Sequence, residues 1–329
     1  MQSARATTAA TPVPQSGAAT DTRSDHPPLT TAVVVSHCSA ATIEACLRAA
    51  LSSTAPVEVV VVDNASDDAT RLLLAEQQRA EPFLTVQLND DNRGFASACN
   101  QGAALARGDA LLFLNPDAFV EADTVRRLRT LLSAHPDVGL LGCSVLDEGG
   151  RPHGPQRRRE PTWRRSLMSL CGLSRLENRW RALAGVEVRT PLPDTELVDV
   201  DAVNGALMLL PRPVFEQIGG FDEAFRLHAE DLDLCRRIRD AGLRVAMAPA
   251  IPVTHVGGVS SRRRRFQVEW WKTRSLWRYF RKHDPAAGRR GIAAVIALGL
   301  ALRLALKLPR QLLPGRSPGK RSAPGKKNR

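Results

Sequence analysis

Short apolar runs rich in β-branched residues alternate with helical segments along the first half of the chain, and this alternation restricts the fold more than any other feature. The predicted strands are Thr31–Ser36, Val57–Val62, Phe83–Leu88, Ala110–Leu114 and Val138–Cys143. Apolar residues at helical spacing lie between them, as in Ile43–Leu51 and from Glu121 to Ala134. Strands that alternate with helices form a mostly parallel sheet with helices on both faces. We therefore predict an α/β fold.

Two acidic residues, Asp63 and Asp117, stand where predicted strands end. In open α/β sheets, ligands bind beyond the carboxyl ends of the strands, so both residues are candidates for a site. Asp117 follows a proline in Asn115-Pro116, and a carboxylate at such a turn suits a hard divalent cation that also holds phosphates. An imidazole ligand such as His255 would favour tolerance of manganese. We expect His255 to lie in a loop that follows a short strand at Arg244–Ala248.

Several common enzyme classes are disfavoured by what the sequence lacks. No Gly-x-Gly-x-x-Gly or Gly-x-Ser-x-Gly motif is present, and the first lysine is Lys272, so Walker-type nucleotide sites are disfavoured. The six cysteines show no Cys-x-x-Cys spacing, which favours reduced core cysteines in the cytosol over a zinc site or a disulfide framework. The first 28 residues have no basic stretch followed by an apolar one, so we expect no secretory signal.

A series of short motifs occurs in a fixed order between residues 31 and 260. They are Val59–Asp67 (VVVVDNASD), Asn92–Ala96 (NRGFA), Asn100–Gly102 (NQG), Leu114–Asp117 (LNPD), Asn204–Ala206 (NGA), Gly219–Glu223 (GGFDE), Glu230–Leu234 (EDLDL), and His255 with Gly257-Gly258. Each motif alone is weak, but the ordered set is specific. With this set the chain resembles family 2 glycosyltransferases of the GT-A fold, most closely their rhamnosyltransferase-like branch.

The resemblance implies a role for each matching position. Asp231 would be the general base, and Asp117 would bind Mg²⁺ or Mn²⁺ with His255 completing the metal site. Gly205 and Glu230 would lie on the acceptor side. Asp63 would recognise the nucleoside base of the nucleotide-sugar donor. The remaining donor-binding residues would be Asn64, Asn92, Gly94, Asn115 and Asp117.

Plainer interpretations of the same residues remain open. Asp63 and Asp117 could each cap the helix that follows. Glu230 and its acidic neighbours could simply stabilise a helix N-terminus, and His255 could be a structural histidine. The chain also departs from the family at His37-Cys38, where Tyr-Asn is usual, and at His228-Ala229, where an aromatic residue is usual. These departures concern contacts to the nucleoside and the acceptor pocket.

The net charge of +12 is very unevenly distributed. Residues 1–256 carry 26 Arg against 32 Asp and Glu, whereas residues 257–329 carry 20 Lys and Arg against only Glu269 and Asp284. We expect Phe266, Trp270, Trp277 and Phe280 to share one side of a basic helix. Gly291–Leu302 is uncharged but too short for a bilayer, which takes about 20 residues. Interfacial helices that meet an anionic membrane surface explain these features, and a helix packed on the catalytic domain is the alternative.

The predicted organisation is a disordered segment at 1–29, a GT-A catalytic domain at 30–260, membrane-associating helices at 261–308 and a disordered basic tail at 309–329. Within the domain, 30–147 is the nucleotide-binding half, 148–196 a basic excursion over the site, and 197–260 the acceptor and base half. The ten Arg and three Glu between Arg151 and Thr190 would meet a diphosphate or anionic lipid, or would merely be solvated.

The resemblance implies an inverting, metal-dependent glycosyltransferase of cell-envelope polysaccharide synthesis, bound peripherally at the cytoplasmic face of the cell membrane. The donor would be a nucleotide sugar, with dTDP-rhamnose as a candidate, and the acceptor a lipid-linked saccharide. Two alternatives stay open: a sugar-nucleotide-binding protein without catalysis, and a nucleic-acid-binding protein that uses the basic tail. Nucleic acid is disfavoured because the apolar stretch has no use there. The sequence does not indicate an oligomeric state.

Overall fold

The computed structural model describes residues 28–257 and 265–312, and within them the chain forms one nine-stranded sheet. The strands of this sheet are β1 (Thr30–Ser36), β2 (Val57–Asn64), β3 (Leu84–Asn89), β4 (Ala110–Leu114), β5 (Ala118–Phe119), β6 (Val138–Leu146), β9 (Val198–Asp199), β10 (Leu207–Pro211) and β11 (Arg244–His255). A separate two-stranded sheet joins β7 (Arg157–Arg158) and β8 (Glu187–Val188). The predicted disordered ends, 1–29 and 309–329, fall almost entirely outside the described residues.

Nine α-helices lie within the described residues. They are α1 (Ile43–Leu51), α2 (Thr70–Ala80), α3 (Phe95–Leu105), α4 (Thr124–Ala134), α5 (Trp163–Leu170), α6 (Arg212–Gln217), α7 (Glu230–Asp240), α8 (Arg265–His283) and α9 (Arg290–Leu312). Short 3₁₀ turns occur at Leu173–Leu176, Arg181–Leu183 and Pro285–Gly288.

The order of strands across the large sheet is β3-β2-β1-β4-β10-β6-β11-β5, with β9 beside β11. Strands β1, β2, β3 and β4 run parallel, as the alternation of strands and helices predicts. Strand β10 lies antiparallel between β4 and β6, and β5 and β9 are antiparallel to β11. The sheet is therefore mostly parallel, which confirms the predicted fold class.

Apolar side chains that alternate along β1 face two separate layers of helices. Ala32 and Val34 pack into a cluster that contains buried residues of α1, α2 and α4, whereas Val33 and Val35 pack into one that contains residues of α3, α6 and α7. Helix α3 lies especially close to the sheet, because a Cβ atom on Gly102 would stand 2.4 Å from Val33 Cγ1. Only glycine fits there, so the close packing of α3 on the sheet depends on Gly102.

The end of β11 differs from the sequence prediction. We expected a short strand at Arg244–Ala248 with His255 in a loop, but the strand continues to His255, so that expectation was wrong. A bulge between Ala248 and Pro252 interrupts the pairing with β6, and the pairing then resumes at Pro252. Beyond the bulge, β11 pairs with β5, which places His255 opposite Ala118.

Helices α8 and α9 form an antiparallel hairpin, and the second half of α8 packs against the segment before α7. Tyr279 and Phe280 are buried with Phe225, Ile296 and Leu300 in a third apolar cluster. The four aromatic residues expected on one side of α8 do not share an environment, since Phe266 and Trp270 are exposed while Phe280 is buried. No helix within the described residues is long and apolar enough to span a bilayer.

One buried carboxylate fixes this hairpin to α7. Asp233 has no exposed surface; its Oδ1 lies 2.7 Å from both Lys282 Nζ and His283 Nε2, and its Oδ2 accepts a hydrogen bond of 2.7 Å from Arg237 Nε. Burial raises the pKa of Asp233, but the hydrogen bonds from His283, Lys282 and Arg237 outweigh it and lower the pKa to about 2.

We predict that Asp233→Asn lowers the free energy of unfolding by roughly 3–5 kcal/mol, because it leaves the Arg237 guanidinium without its counter-charge and Lys282 with Asp222 alone. The folded-state pKa lies below the unfolded one, so this contribution is present above about pH 4 and is lost as the pH falls toward about 2. Urea unfolding of wild type and variant between pH 2 and pH 7 measures it. Asp240→Asn, at the exposed end of the same helix, is the control, and equal stability of all three proteins at pH 7 would contradict the prediction.

Candidate functional site

A cavity of about 550 Å³ opens at the carboxyl ends of β1, β2 and β4. Its floor comes from Val35 and Asn64 on the strands and from the turn that follows β4. The far wall comes from the segment before α7 and from α8. Its further lining residues are His37, Asn92, Gly94, Phe95, Asn115, Pro116, Asp117, His153, Arg226, Leu227, His228, His255, Gly257, Gln267, Val268, Trp271 and Lys272.

Asp117 and His255 meet in this cavity because β5 and β11 pair. Asp117 Oδ1 lies 3.0 Å from His255 Nε2, and the Val256 N–H donates a hydrogen bond of 3.0 Å to the carbonyl oxygen of Asp117. Asn115 Nδ2 lies 3.4 Å from the same His255 nitrogen. The two residues that the sequence analysis assigned to a metal site are therefore neighbours, although they are far apart in sequence.

The chemistry of this pair fits a divalent cation. A carboxylate oxygen and an imidazole nitrogen are both common ligands of Mn²⁺, and they point at each other here. His255 Nδ1 is buried without a hydrogen-bond partner, and the ring of His153 stands edge-on to it with centroids 5.1 Å apart. Within the described residues, no group of three or more His, Cys, Asp or Glu side chains is arranged to hold a metal. Additional ligands would have to come from a bound substrate or water.

Asn64, Asn92 and Gly94 form a connected corner of the cavity. Asn64 Nδ2 donates to the Gly94 carbonyl oxygen at 3.0 Å, and the Gly94 N–H donates to Asn92 Oδ1 at 3.0 Å. Gly94 has φ of +91°, and a Cβ atom on it would lie 2.7 Å from the Arg226 carbonyl oxygen. Glycine is required at this position both by its backbone conformation and by the close approach of the 226 segment.

Asp63 is placed differently from the other predicted donor residues. It has no exposed surface and is not among the cavity-lining residues. Its Oδ1 accepts from the hydroxyls of Ser36 and Ser66, and its Oδ2 accepts from the Ser66 N–H at 3.0 Å and from Arg71 Nε at 2.9 Å. The carboxylate thus holds the turn after β2, close to the capping interpretation, and its contact with a nucleoside base stays a prediction.

The departure at His37-Cys38 lies at the mouth of the cavity. His37 lines it, and its Nδ1 lies 2.8 Å from the Asn64 carbonyl oxygen. Cys38 has φ of +52°, its N–H donates to Ser66 Oγ at 2.8 Å, and its thiol donates to Asp67 Oδ1 at 3.0 Å. Both residues are held by the turn after β2, so the substitution keeps an ordered wall while changing its chemistry.

Asp231 lies in the first turn of α7, just after a strained segment. His228 and Ala229 both have left-handed backbone angles, with φ of +64° and +67°, which are unfavourable for residues other than glycine. Asp231 Oδ1 accepts from the Leu232 N–H at 2.8 Å, and Oδ2 faces Gly205, where a Cβ atom would come within 3.4 Å. Asp231 is not a lining residue of the cavity; it lies three residues after the wall residue His228.

The side-chain oxygen Oε2 of Glu230, next to Asp231 in the chain, is shielded from water. This atom has no hydrogen-bond partner within the described residues. Burial, followed by the negative charge of Asp231, raises the pKa of Glu230 to about 8. These effects favour the protonated form of Glu230, and its role on the acceptor side stays a prediction.

Sequence reasoning missed several residues of this region. Arg226 donates to the Asn92 carbonyl oxygen at 2.6 Å, and its guanidinium stands over the Trp271 ring at 5.0 Å. Lys272 lines the cavity, and Arg158 from β7 stands 3.6 Å from Asp231 Oδ2. The arginine-rich composition of 151–190 and the aromatic and basic residues of α8 were visible signals, but nothing local indicated which members would reach the site.

Comparisons with known proteins agree with this geometry. Residues 31–185 match the family model of glycosyl transferase family 2, and residues 175–283 match that of glycosyl transferase family 21. The O-antigen biosynthesis protein RfbC of Myxococcus xanthus is 29% identical over 67% of this chain, but the match spans only 16% of that protein. The N-acetylglucosaminyl-diphospho-decaprenol L-rhamnosyltransferase of Mycobacterium tuberculosis is 27% identical over 62% of this chain and 68% of its own length.

Among solved structures, the mannosyltransferase PcManGT from Pyrobaculum calidifontis, in complex with GDP-Man and Mn²⁺, is similar to this chain. The TM-score is 0.55 at 21% identity, and the match covers 87% of this chain and 74% of that one. This likeness concerns the fold, and it confirms the GT-A architecture that the motifs implied.

We predict that Glu230→Gln is more stable than wild type above about pH 4.5, because the folded variant, unlike folded wild type, does not bury an ionisable carboxyl. The folded-state pKa of Glu230 is above the unfolded one, so wild type loses stability relative to the variant as the pH rises from about 4.5 to about 8. The gap at pH 8 should reach at least about 1 kcal/mol.

Urea unfolding across this pH range measures the gap between wild type and Glu230→Gln. Glu223→Gln removes an exposed carboxyl that accepts a hydrogen bond from Asn100 Nδ2, and it serves as the control. A pH-independent difference between wild type and Glu230→Gln would contradict the prediction.

Proposed function

Because the chain carries a glycosyl transferase family 2 domain over residues 31–185, we propose that it is an inverting, metal-dependent glycosyltransferase that moves a sugar from a nucleotide donor to a lipid-linked saccharide. The observation that carries this proposal is the meeting of Asp117 and His255 in a cavity at the carboxyl ends of the strands, with Asp231 three residues beyond the wall residue His228. Rhamnose is our candidate sugar, because the Mycobacterium relative is named an L-rhamnosyltransferase.

The donor would occupy the 550 Å³ cavity, with its nucleoside against His37 and Asn64 and its diphosphate near Asp117. Arg226 and Lys272 bring positive charge to the opposite wall. Cations at this place would stabilise the negative charge that develops on the departing nucleoside diphosphate. Asn92, Gly94 and Asn115 shape the cavity between the two walls.

Asp117 and His255 would hold Mg²⁺ or Mn²⁺, and the Asp117 carboxylate oxygen that faces His255 Nε2 supports that assignment. When bound there, the cation would supply charge neutralisation for the diphosphate leaving group. Asn115 could contribute its amide oxygen after a flip of the side-chain amide, since its terminal atom stands 3.4 Å from His255 Nε2.

Asp231 would act as the general base. The acceptor hydroxyl gives its proton to Asp231 Oδ2, and its oxygen forms a bond to the anomeric carbon of the donor sugar. The bond from that carbon to the diphosphate oxygen breaks, and its electron pair leaves with the nucleoside diphosphate. A single base is sufficient because this displacement forms no glycosyl-enzyme intermediate. Gly205, which carries no side chain, leaves room for the acceptor beside the carboxylate.

A lipid-linked acceptor is supported by the exposed apolar residues of the α8–α9 hairpin. Val295, Leu298 and Leu302 lie on the outer side of α9, and Phe266 and Trp270 are exposed on α8. The inner side of α9 is anchored instead, because Arg303 Nη2 and Lys307 Nζ bind Glu269 at 3.0 and 3.3 Å. Exposed apolar and aromatic residues on a strongly basic hairpin suit an anionic membrane surface. We place the protein peripherally at the cytoplasmic face of the cell membrane.

We predict that the purified protein transfers label from one of a panel of radiolabelled sugar nucleotides to the lipid extract of host membranes, and that EDTA abolishes the transfer. Asp231→Asn should lower the rate by about 10²- to 10⁴-fold, as expected for loss of a general base. Asp117→Asn should weaken the dependence on Mn²⁺ or Mg²⁺. The exposed Asp194→Asn is the control for charge removal alone.

Full activity of Asp231→Asn would refute the assigned base. Metal-dependent donor binding by wild type without turnover on any lipid acceptor would instead favour a sugar-nucleotide-binding protein without catalysis.

We also predict that wild type floats with vesicles containing anionic lipid. The double variant Leu298→Asp, Leu302→Asp should bind them at least about tenfold more weakly, because it loses two exposed apolar side chains that would enter the lipid. The matched control is Leu72→Asp, whose side chain is equally exposed but lies on α2 within the catalytic domain. Equal flotation of the double variant and the control would contradict the assigned membrane surface.

A further inference from the structure

Three consecutive arginines lie on and just after β7, namely Arg157, Arg158 and Arg159. The side chains of Arg157 and Arg159 both form several hydrogen bonds within the excursion. Arg157 Nη2 donates to the carbonyl oxygens of Thr190 and Pro191 at 2.8 and 2.9 Å. Arg159 Nη1 donates to Glu177 Oε2 at 2.9 Å and to the Gly185 carbonyl oxygen at 3.0 Å. These contacts account for both side chains.

Arg158 differs from the arginines on either side. Within the described residues, its guanidinium forms an ion pair in which Nη1 lies 3.6 Å from Asp231 Oδ2. This distance is too long for a hydrogen bond, so the N–H donors and the carboxylate oxygen are both available to a third group. The Arg158 side chain is 31% exposed, and that of Asp231 is 13% exposed.

The backbone of Arg158 is held from two sides. It pairs with Glu187 of β8, and its carbonyl oxygen accepts a hydrogen bond of 3.3 Å from the Ala202 N–H. Gly205, which borders Asp231 Oδ2, lies only three residues beyond Ala202. The arginine is therefore carried on a supported strand next to the site, and its position does not depend on a free loop.

We propose that Arg158 binds a phosphate group of the acceptor, next to the acceptor hydroxyl that Asp231 deprotonates. This inference rests on the function proposed above. A guanidinium offers a planar set of N–H donors that matches phosphate oxygens in pairs. A saccharide linked to a lipid through phosphate carries that anion one sugar ring away from its hydroxyls, so both groups can reach neighbouring protein residues at once.

The electrostatics of the pair agree with such an acceptor. A lone carboxylate base would repel an anionic acceptor, and the cation at 3.6 Å offsets this repulsion. When Asp231 accepts the hydroxyl proton, its charge is neutralised and Arg158 keeps only the acceptor phosphate as its counter-ion. The donor diphosphate is the less suitable partner, because Arg158 is not among the residues that line the donor cavity.

The test compares wild type, Arg158→Gln, Arg158→Lys and the matched control Arg157→Gln on two acceptors. One acceptor is N-acetylglucosamine 1-diphosphate with a short alkyl chain, and the other is the neutral alkyl glycoside of the same sugar. We expect Arg158→Gln to raise KM for the diphosphate acceptor about 10- to 100-fold, the loss of a hydrogen bond between charged groups. KM for the neutral acceptor and for the donor should stay unchanged, Arg158→Lys should recover part of the loss, and Arg157→Gln should resemble wild type.

A change in kcat that is equal for both acceptors, with KM unchanged, would overturn the proposal, since Arg158 would then act only on Asp231. So would identical kinetics of Arg158→Gln and Arg157→Gln. Binding of the alkyl diphosphate acceptor is also measured without donor, by tryptophan fluorescence. If wild type transfers no sugar, the proposed function fails, and the affinities still decide this inference: weaker binding by Arg158→Gln alone supports it, and equal binding by all variants overturns it.

Discussion

The site depends on the burial of one carboxylate, Asp233, among cations from two helices. A carboxylate without water contact is tolerated only when its charge is matched, and Arg237, Lys282 and His283 surround it at 2.7 Å. Asp233 lies two residues after Asp231 on α7, and α8 carries the Trp271 wall of the cavity. The same contact therefore joins the helix that bears the proposed base to the C-terminal end of α8, just before the chain turns into α9.

The second requirement is the pairing of β5 with β11, which brings Asp117 to His255. The sequence identified Asp117 through the proline-containing turn after β4, because that signal is local. His255 was assigned to a loop because Pro249 and Pro252 interrupt the strand pattern, and prolines normally end a strand. In the structure, a bulge between Ala248 and Pro252 absorbs the interruption and the strand resumes. The motif order paired His255 with Asp117, and the two are neighbours in the structure, whereas the local pattern gave the wrong secondary structure.

Contacts between distant segments explain what could not be predicted. The strand and helix alternation of the first half follows from apolar periodicity, which is a local property, and most predicted elements there occur within a few residues of their expected ends. The tail was ambiguous because aromatic and basic residues at helical spacing suit both a membrane surface and a packed helix. Its geometry is decided by Glu269, which pairs with Arg303 and Lys307 on α9, and by Ser275, whose hydroxyl donates to the Leu227 carbonyl oxygen. Neither contact is visible in one segment alone.

The distribution of charge around the cavity provides a last physical argument for two functional halves. Next to β11, Asp117 and His255 offer ligands to a cation, and Arg226 and Lys272 face the same space, so this half favours a diphosphate. At the start of α7, Glu230 and Asp231 are adjacent carboxyl groups. If both were ionised, they would repel an anionic substrate. Burial favours the protonated form of Glu230, and Arg158 stands 3.6 Å from Asp231, so the negative charge there is reduced. A base can therefore operate beside an anionic acceptor without weakening the affinity of the neighbouring half for its own phosphates.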